Sequence, residues 1–264
     1  MSGVSELLAF NAAMMAAIFV VLWLISLAIR DVSFVDSWWG IGLGVLALAA
    51  FLETSGFGPR QRLLVTLAVV WSLRLGLYLL WRWRRNGPEP RYVKIMAHAK
   101  SARGWSFATT SGLQVFALQG VLQFIVSLPV QLGQWGGDSG IAGLTIAGAA
   151  LAVFGLLFET VGDAQLIAFK ADPGNTGKVM DRGVWRYTRH PNYFGDACFW
   201  WGLFLIAAQT PLGWWSIPGP LLMTFLLTRV SGMPMLEKSM QKKPDHAAYA
   251  ARTSGFIPWF PKKA

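Results

Sequence analysis

Residues Leu7–Ile29 read LLAFNAAMMAAIFVVLWLISLAI, and this run settles the class of protein. It contains no charged residue, and only Asn11 and Ser26 interrupt its apolar character. A helix needs about 20 largely apolar residues to cross the hydrocarbon core of a bilayer. Nothing basic precedes the run, whereas Arg30 follows it, which is not the pattern of a cleaved signal peptide. The run therefore predicts a first transmembrane helix.

The rest of the chain repeats this pattern. Of its 264 residues, 54% are hydrophobic and only 14% are charged, about half the charge of an average protein. Six further apolar runs are Trp38–Leu52 (starting near Phe34), Leu63–Trp81, Gly112–Leu132, Ile141–Phe169, Phe194–Ala208 and Trp214–Thr228. We therefore predict an all-α, polytopic membrane helix bundle of about seven transmembrane helices, forming a single transmembrane domain over residues 1–264.

Positive charge is concentrated in a few segments. The chain has 23 Lys and Arg against 13 Asp and Glu, and three segments hold 18 of these cations. These segments are 82–103, 170–189 and 238–263. Seven helices place all three on one side, so the positive-inside rule predicts an N-terminus outside and a C-terminus in the cytoplasm. We expect the membrane to be a bacterial inner (plasma) membrane. Arg60 and Arg62 fall on the opposite side.

Several classes of partner are disfavoured by the same composition. A basic chain is typical of nucleic-acid binding, but that function needs a soluble, charge-rich face, so we expect no nucleic acid to bind. We also expect no obligate protein partner. The single cysteine, Cys198, excludes a disulfide framework and a cysteine-based zinc site. His98 and His246 lack metal-ligand spacing to His190, so we expect both to face solvent and no metal to bind.

Ionisable residues also lie inside the predicted spans. Arg74 lies within the third span, and Glu159 and Asp163 lie within the fifth. The spacing of the two carboxylates is i, i+4, which puts them on one face of a helix. Each buried charge is costly in a membrane, so we predict a polar cavity that opens to the cytoplasm. Interhelical ion pairs with snorkelling side chains are the structural alternative.

The segment richest in functional groups is Lys170–Asp196, KADPGNTGKVMDRGVWRYTRHPNYFGD. Its glycines do not have the spacing of a phosphate-binding P-loop or of a dinucleotide-binding strand–turn–helix. Arg189 and His190 precede Pro191, a residue favoured at the first helical position, and helix starts favour anions. The segment therefore predicts an anion-binding helix start, with a plain basic loop as the alternative.

Two further features complete a family pattern. The motif RHPNYFGD (Arg189–Asp196) is followed by Trp200-Trp201-Gly202, and the chain ends with TSGFIPW at Thr253–Trp259. Over about residues 150–262 this pattern resembles the steroid 5-alpha-reductase-like family of integral membrane NADPH-dependent reductases. The R-H-P-x-Y-x-G core is also similar to that of membrane methyltransferases of the isoprenylcysteine and phospholipid type, which carry a Glu-containing tail after it.

The resemblance implies a seven-helix bundle that holds NADPH in a cytoplasm-facing cavity and reduces a conjugated enone in a lipophilic substrate. Residues 150–262 would form the cofactor-binding C-terminal part. Carried over by position, the cofactor site would comprise Arg74, Arg85, Asp163, Lys170, Lys178, Asn192, Tyr193, Asp196 and Arg229. To these we add Glu159, the partner of Asp163 on one helix face. We also add Arg189 and His190 of the segment, because a diphosphate and a 2′-phosphate need several cations.

The sequence departs from the reductase pattern at the proton donor. The steroid reductases carry an adjacent Gln-Glu pair on helix two and a Tyr on helix three, whereas this chain has no such pair and has Trp71 at the latter position. Asp36, Glu53, Tyr78 and Tyr92 are the available replacements. We predict Asp36, with Tyr78, as the catalytic residues; a charge at the start of helix two is the alternative role for Asp36.

Three functions are thus compatible with the sequence. The first is an NADPH-dependent oxidoreductase acting on CH–CH groups of a lipophilic small molecule, steroid-like or another lipid. The second is an S-adenosylmethionine-dependent methyltransferase of a lipid or prenylated substrate, which would need fewer cations because its cofactor carries no phosphate. The third is a non-enzymatic lipid carrier, which would leave Glu159 and Asp163 without a chemical role.

The predicted topology can be tested directly. A reporter that is active only in the cytoplasm, fused after the last residue, should be active, because the most cationic segments are retained on that side. A reporter active only outside the cytoplasm, fused at the same point, is the control. Activity of the second and silence of the first would contradict the orientation.

Overall fold

The computed structural model describes residues 2–54, 58–137 and 140–262, and these are almost entirely helical. Helix accounts for 78% of the structure and no strand forms among the described residues, which confirms the all-α prediction. The helices are α1 (Ser2–Ile29), α2 (Val35–Glu53), α3 (Pro59–Asn86), α4 (Pro90–Arg103), α5 (Phe107–Thr110), α6 (Leu118–Val126), α7 (Leu128–Leu132), α8 (Gly143–Ala171), α9 (Pro191–Ala207), α10 (Pro218–Phe225), α11 (Met233–Met240) and α12 (His246–Arg252).

Short irregular helices connect several of these elements. A π-helical segment, Ser111–Ala117, joins α5 to α6, and a second, Leu226–Val230, extends α10. The 3₁₀ turns are Pro173–Asn175, Gly183–Arg186 and Leu212–Ser216. The π-helix is rare, and within longer helices it occurs frequently at functional sites.

Within the described residues, five helical segments are long and apolar enough to cross a membrane. They are Gly3–Ile29, Val35–Glu53, Pro59–Asn86, Phe107–Val126 and Gly143–Ala171. Large apolar side chains of α1, among them Val20, Val21 and Leu24, are more than half exposed in the isolated chain, as expected of a surface that contacts lipid. The chain is therefore a membrane protein.

The last two apolar runs form shorter elements. The sixth run corresponds to α9, which has 17 residues. The seventh is divided into the 3₁₀ turn Leu212–Ser216, α10 and the π segment after it. The break before α10 falls at Pro218 and Pro220, which lack the N–H groups that a continuous helix requires. Lys263, which belongs to the third cationic segment, lies outside the described residues.

The chain divides into two compact units. The first comprises Met1–Ala142 and Ala207–Pro218, and the second comprises Gly143–Ile206 and Gly219–Ala264. The second unit thus begins close to residue 150, where the resemblance to the membrane reductases also begins.

In the first unit, α2 and α3 pack backbone against backbone. A Cβ atom on Gly40 would lie 2.7 Å from the backbone nitrogen of Gly76, and one on Gly44 would lie 2.7 Å from the Cβ of Ser72. Small residues allow such close approach between membrane helices, where dispersion contacts replace the hydrophobic driving force. Trp71 is fully buried in the same unit, so it is a core residue.

Arg60, one of the two cations that disagree with the charge pattern, has a structural role. It is fully buried and donates hydrogen bonds to the carbonyl oxygens of Gly133 (2.5 Å) and Gly137 (3.2 Å). Gln61 also donates to the Gly137 carbonyl, at 3.1 Å. Carbonyl groups at the end of a helix have no partner within that helix, and Gly133 directly follows α7. Arg60 therefore satisfies backbone acceptors, whereas Arg62 is exposed.

In the second unit, α8 and α9 pack through glycines spaced by seven residues. A Cβ on Gly148 would lie 2.5 Å from the Gly202 carbonyl oxygen, and one on Gly155 would lie 2.4 Å from the Gly195 carbonyl oxygen. The converse also holds, since a Cβ on Gly195 would lie 2.6 Å from the backbone nitrogen of Glu159. The two helices can approach this closely only because these positions lack side chains.

This packing predicts that Gly155→Ala destabilises the protein. The added Cβ collides with backbone atoms of α9, and such overpacking costs about 1–3 kcal/mol, more than the roughly 1 kcal/mol that alanine adds in helix propensity. Thermal unfolding in detergent measures the change. Gly143→Ala is the matched control, because a Cβ there would meet no atom of the described residues within 4 Å. Equal melting temperatures for the two variants would contradict the packing.

Candidate functional site

The RHPNYFGD segment is held in place by the end of the chain. Thr188 pairs with Ser254 in an isolated parallel bridge, and the backbone N–H of Arg189 donates to the Ser254 carbonyl at 2.9 Å. The Thr188 hydroxyl donates to the Phe256 carbonyl at 2.8 Å. The two motifs that carried the family resemblance are therefore in direct contact, immediately before α9 begins at Pro191.

Glu237 of α11, which is itself partly buried, is the centre of a polar cluster at this point. One carboxylate oxygen, Oε1, lies 2.7 Å from Arg189 Nε and 2.9 Å from His190 Nε2. The other, Oε2, lies 2.9 Å from His246 Nε2. Arg189 Nη1 also donates to the carbonyl oxygens of Ala250 and Thr253, at 3.2 and 2.9 Å. The cluster joins the start of α9 to α11 and α12.

Burial and hydrogen bonds together determine the protonation states of His190 and Glu237. Burial lowers the pKa of His190 below its ordinary value, outweighing the opposite effect of Glu237, so the ring is neutral at pH 7. Burial alone would raise the pKa of Glu237, but hydrogen bonds from Arg189 and His190 lower it overall. A neutral ring has one N–H. With Nε2–H donating to Glu237, the buried Nδ1 of His190 is an acceptor that has no hydrogen-bond partner among the described residues.

The two carboxylates of α8 face the same region. Glu159 and Asp163 are both buried, and Asp163 Oδ1 accepts a hydrogen bond from the Asn192 side-chain N–H at 3.3 Å. Asp196, one turn further along α9, is buried as well. The i, i+4 spacing thus brings these carboxylates toward the first turns of α9. Tyr193 stacks on His190 with ring centroids 5.6 Å apart.

The remaining residues predicted to bind the cofactor in this unit are cationic and exposed. They are Lys170, Lys178 and Arg229. Arg229 lies in the π-helical segment Leu226–Val230. The Lys178 carbonyl oxygen accepts a hydrogen bond from Lys243 Nζ at 2.7 Å.

The predicted residues of helices two and three lie in the first unit. Asp36 accepts a hydrogen bond from the Tyr92 hydroxyl at 2.7 Å and forms an ion pair with Arg91. Burial, with the Asp36 charge, raises the pKa of Tyr92 well above its ordinary value. Arg74 Cζ lies 5.9 Å from the centre of the Tyr78 ring. The candidate acid Asp36 therefore belongs to a buried network between α2 and α4.

Arg85, at the end of α3, is exposed. Its Cζ lies 5.5 Å from the centre of the Trp81 ring.

A large apolar cavity also lies in the first unit. It has a volume of about 800 Å³ and lies between α1 and the fourth span, with its lining formed by Met15, Phe19, Trp23, Phe116 and Phe124 among others. Part of the lining belongs to the π-helical segment. No residue predicted to bind the cofactor or to be catalytic lines this cavity, and its wall is apolar, unlike the polar cavity predicted around the carboxylates.

The sequence matches one known family. The sequence profile of a family described as proteins of unknown function (DUF1295) matches residues 22–253. The chain belongs to the DUF1295 family. No curated protein and no solved structure matches it significantly.

Two features of this DUF1295 protein were not predicted from its sequence. The expectation that His246 faces solvent is wrong: its ring is buried and bonds to Glu237, nine residues earlier. His98 is exposed as expected. Glu237 was not predicted to be a site residue. The Glu-containing tail that follows the same core in the membrane methyltransferases could have indicated it. Among the described residues, no group of His, Cys, Asp or Glu is arranged to hold a metal ion.

The Glu237 cluster generates a stability prediction for this DUF1295 protein. Glu237→Gln should lower the free energy of unfolding at pH 7 by about 1–3 kcal/mol, because buried partners lose a charged acceptor. A carboxylate whose pKa is lowered on folding stabilises the folded protein at pH values above its ordinary pKa of 4.5. This contribution is lost as the pH falls through the lower pKa of the folded state. The difference in free energy of unfolding between the wild type and Glu237→Gln should therefore shrink at acidic pH.

Thermal unfolding in detergent at neutral and acidic pH measures both effects. Asp245→Asn is the matched control, since Asp245 is an exposed carboxylate between α11 and α12. A Glu237→Gln variant as stable as this control at pH 7 would contradict the structural role of the cluster.

Proposed function

We propose that this protein is a membrane-embedded NADPH-dependent reductase that adds hydride to a conjugated C=C bond of a lipophilic substrate. One observation carries the proposal. The second unit contains both buried hydrogen-bonding groups around the start of α9 and exposed Lys and Arg side chains. The resemblance of RHPNYFGD to the steroid 5-alpha-reductase-like family supports the same reaction class. NADPH would supply the hydride.

The residues of the second unit fit such a cofactor. Two buried side-chain acceptors, His190 Nδ1 and Asn192 Oδ1, have no hydrogen-bond partner among the described residues. Buried polar groups left unpaired cost about 1–3 kcal/mol each, so a bound ligand that donates hydrogen bonds would relieve this cost. Ribose hydroxyls and the nicotinamide carboxamide are donors of this kind. Asp163, bonded to Asn192, would orient that amide.

Phosphate recognition falls to the exposed cations of the same unit. Lys170, Lys178 and Arg229 are exposed and would bind the diphosphate and the 2′-phosphate by charge-assisted hydrogen bonds, which are roughly twice as strong as neutral ones. The topology we propose, with seven spans and the C-terminus in the cytoplasm of a bacterial inner membrane, gives this unit access to cytoplasmic NADPH.

The apolar cavity of the first unit is suited to admit a lipophilic substrate from the bilayer. Its volume of about 800 Å³ is in the range of small-molecule sites. Several lining side chains, Val20, Leu113 and Val121, are themselves more than half exposed, so the cavity opens at the apolar outer surface of the helices. A lipid dissolved in the bilayer would enter there.

Reduction of an enone also consumes a proton, and the proposed acids are Asp36 and Tyr78. Asp36 is joined to the buried Tyr92 hydroxyl and to Arg91, which holds its carboxylate in one orientation.

A methyltransferase is the second candidate, and one observation favours it. Arg189 and His190 of the shared R-H-P-x-Y-x-G core bond directly to Glu237 of the tail, and a Glu-containing tail accompanies this core in the membrane methyltransferases. S-adenosylmethionine carries one carboxylate and no phosphate, so it would need fewer of the exposed cations of the second unit than NADPH would. This is why we place the reductase first.

Ligand-dependent stabilisation separates the two functions. Purified protein in detergent should unfold at a higher temperature with NADPH than with NADH or S-adenosylmethionine, because a ligand specific for the folded state stabilises it by mass action. Lys178→Ala and Arg229→Ala should each weaken NADPH binding about tenfold. Lys238→Ala removes an exposed cation outside the proposed site and is the control. Stabilisation by S-adenosylmethionine alone would overturn the reductase.

The substrate cavity has a separate test. Ala16 lines the cavity, and Ala16→Phe should fill part of it, raising KM for an accepted enone while leaving the NADPH affinity unchanged. NADPH oxidation with a panel of lipophilic enones provides the assay. Ala17→Phe adds the same side chain on α1 outside the lining and should behave as wild type. Equal kinetics for the two variants would remove the cavity from the substrate path.

A further inference from the structure

The end of the chain presents an unusual row of exposed apolar side chains. We call residues Phe256–Lys262 the C-terminal strap. Ile257, Trp259 and Phe260 are 64%, 70% and 77% exposed. Aromatic side chains this large are rarely left in water without a partner, and these three lie within four consecutive residues.

The strap is a fixed structure. The backbone N–H of Trp259 donates to the Tyr187 carbonyl at 2.9 Å, and that of Lys262 donates to the Arg252 carbonyl at 2.9 Å. The Phe260 ring meets the ring of Tyr187 edge-on, with centroids 6.2 Å apart. The apolar side chains are therefore held outward by a backbone that is itself bonded to the segment leading into α9.

Two exposed cations lie close in sequence to this apolar row and to Tyr187, which contacts it. Arg186 precedes Tyr187 and is exposed, and Lys262 closes the strap and is also exposed. Aromatic rings with cations beside them are typical of segments that lie at a membrane–water interface. The cations of such segments are attracted to anionic lipid headgroups. The five apolar helices place a bilayer against this same chain.

We propose that the C-terminal strap, with Tyr187, is an interfacial anchor that binds the headgroup region of a bilayer containing anionic phospholipid. Ile257, Trp259 and Phe260 insert at the level of the headgroups, while Arg186 and Lys262 contact lipid phosphates. Through the bridge between Thr188 and Ser254, this contact fixes the RHPNYFGD segment at the membrane surface. The inference does not depend on which reaction the protein catalyses.

Site-specific fluorescence in nanodiscs tests the anchor. Cys198 is the only cysteine, so a Cys198→Ala background accepts a single environment-sensitive label at Ile257→Cys. Thr176→Cys, in an exposed loop of the same unit, is the matched control. In nanodiscs of mixed phosphatidylcholine and phosphatidylglycerol, iodide quenching at 257 should be several-fold weaker than at 176. Lipids with a nitroxide near the headgroup should quench 257 more than lipids with a nitroxide at the chain end.

Two results would overturn the proposal. Equal iodide quenching at 257 and 176 would show that the strap lies in water. Protection from iodide without quenching by either nitroxide lipid would show that protein covers it instead. Arg186→Gln combined with Lys262→Gln gives an independent measure, since it should reduce the difference in protection between nanodiscs with and without phosphatidylglycerol. An unchanged difference would remove the charge contribution from the proposal.

Discussion

Close approach of the α8 and α9 backbones is the constraint on which the candidate site depends. Carbonyl and amide groups of the two helices meet where Gly155 and Gly195 lack a Cβ, so the axes cannot separate without losing dispersion contacts along the whole interface. This spacing puts the buried Asp163 within hydrogen-bonding distance of Asn192, at 3.3 Å.

A second constraint acts at the beginning of α9, where Glu237 satisfies three donors at once. Removing a carboxylate even partly from water is costly unless charge and hydrogen bonds compensate it. Here Arg189, His190 and His246 do so together for the partly buried Glu237. The same bonds orient the motif residues from one side, while the Ser254 backbone holds them from the other. The start of α9 is therefore fixed by groups drawn from the final 30 or so residues of the chain.

The sequence was informative where one local property determines the structure. The apolar run Leu7–Ile29 predicted α1 because a continuous apolar segment in lipid must satisfy its own backbone hydrogen bonds, and a helix does so. The run Trp214–Thr228 was less informative, because Pro218 and Pro220 divide it and composition does not say how. His246 was misplaced for a different reason. Its burial depends on the turn that folds α12 back on α11, and no periodicity in the sequence encodes where Glu237 then lies.

The geometry of Arg189 changes how a phosphorylated cofactor would be recognised. From sequence, the arginine of the RHP motif is the natural phosphate ligand, since a guanidinium binds phosphate through two parallel N–H donors. In the structure its Nε bonds to Glu237 and its Nη1 to two backbone carbonyls, so its donors serve mainly the protein. Its contribution is to hold His190 and the start of α9. Recognition of the phosphate charge would then rest on the exposed Lys178 and Arg229, which belong to segments that the RHP motif itself does not include.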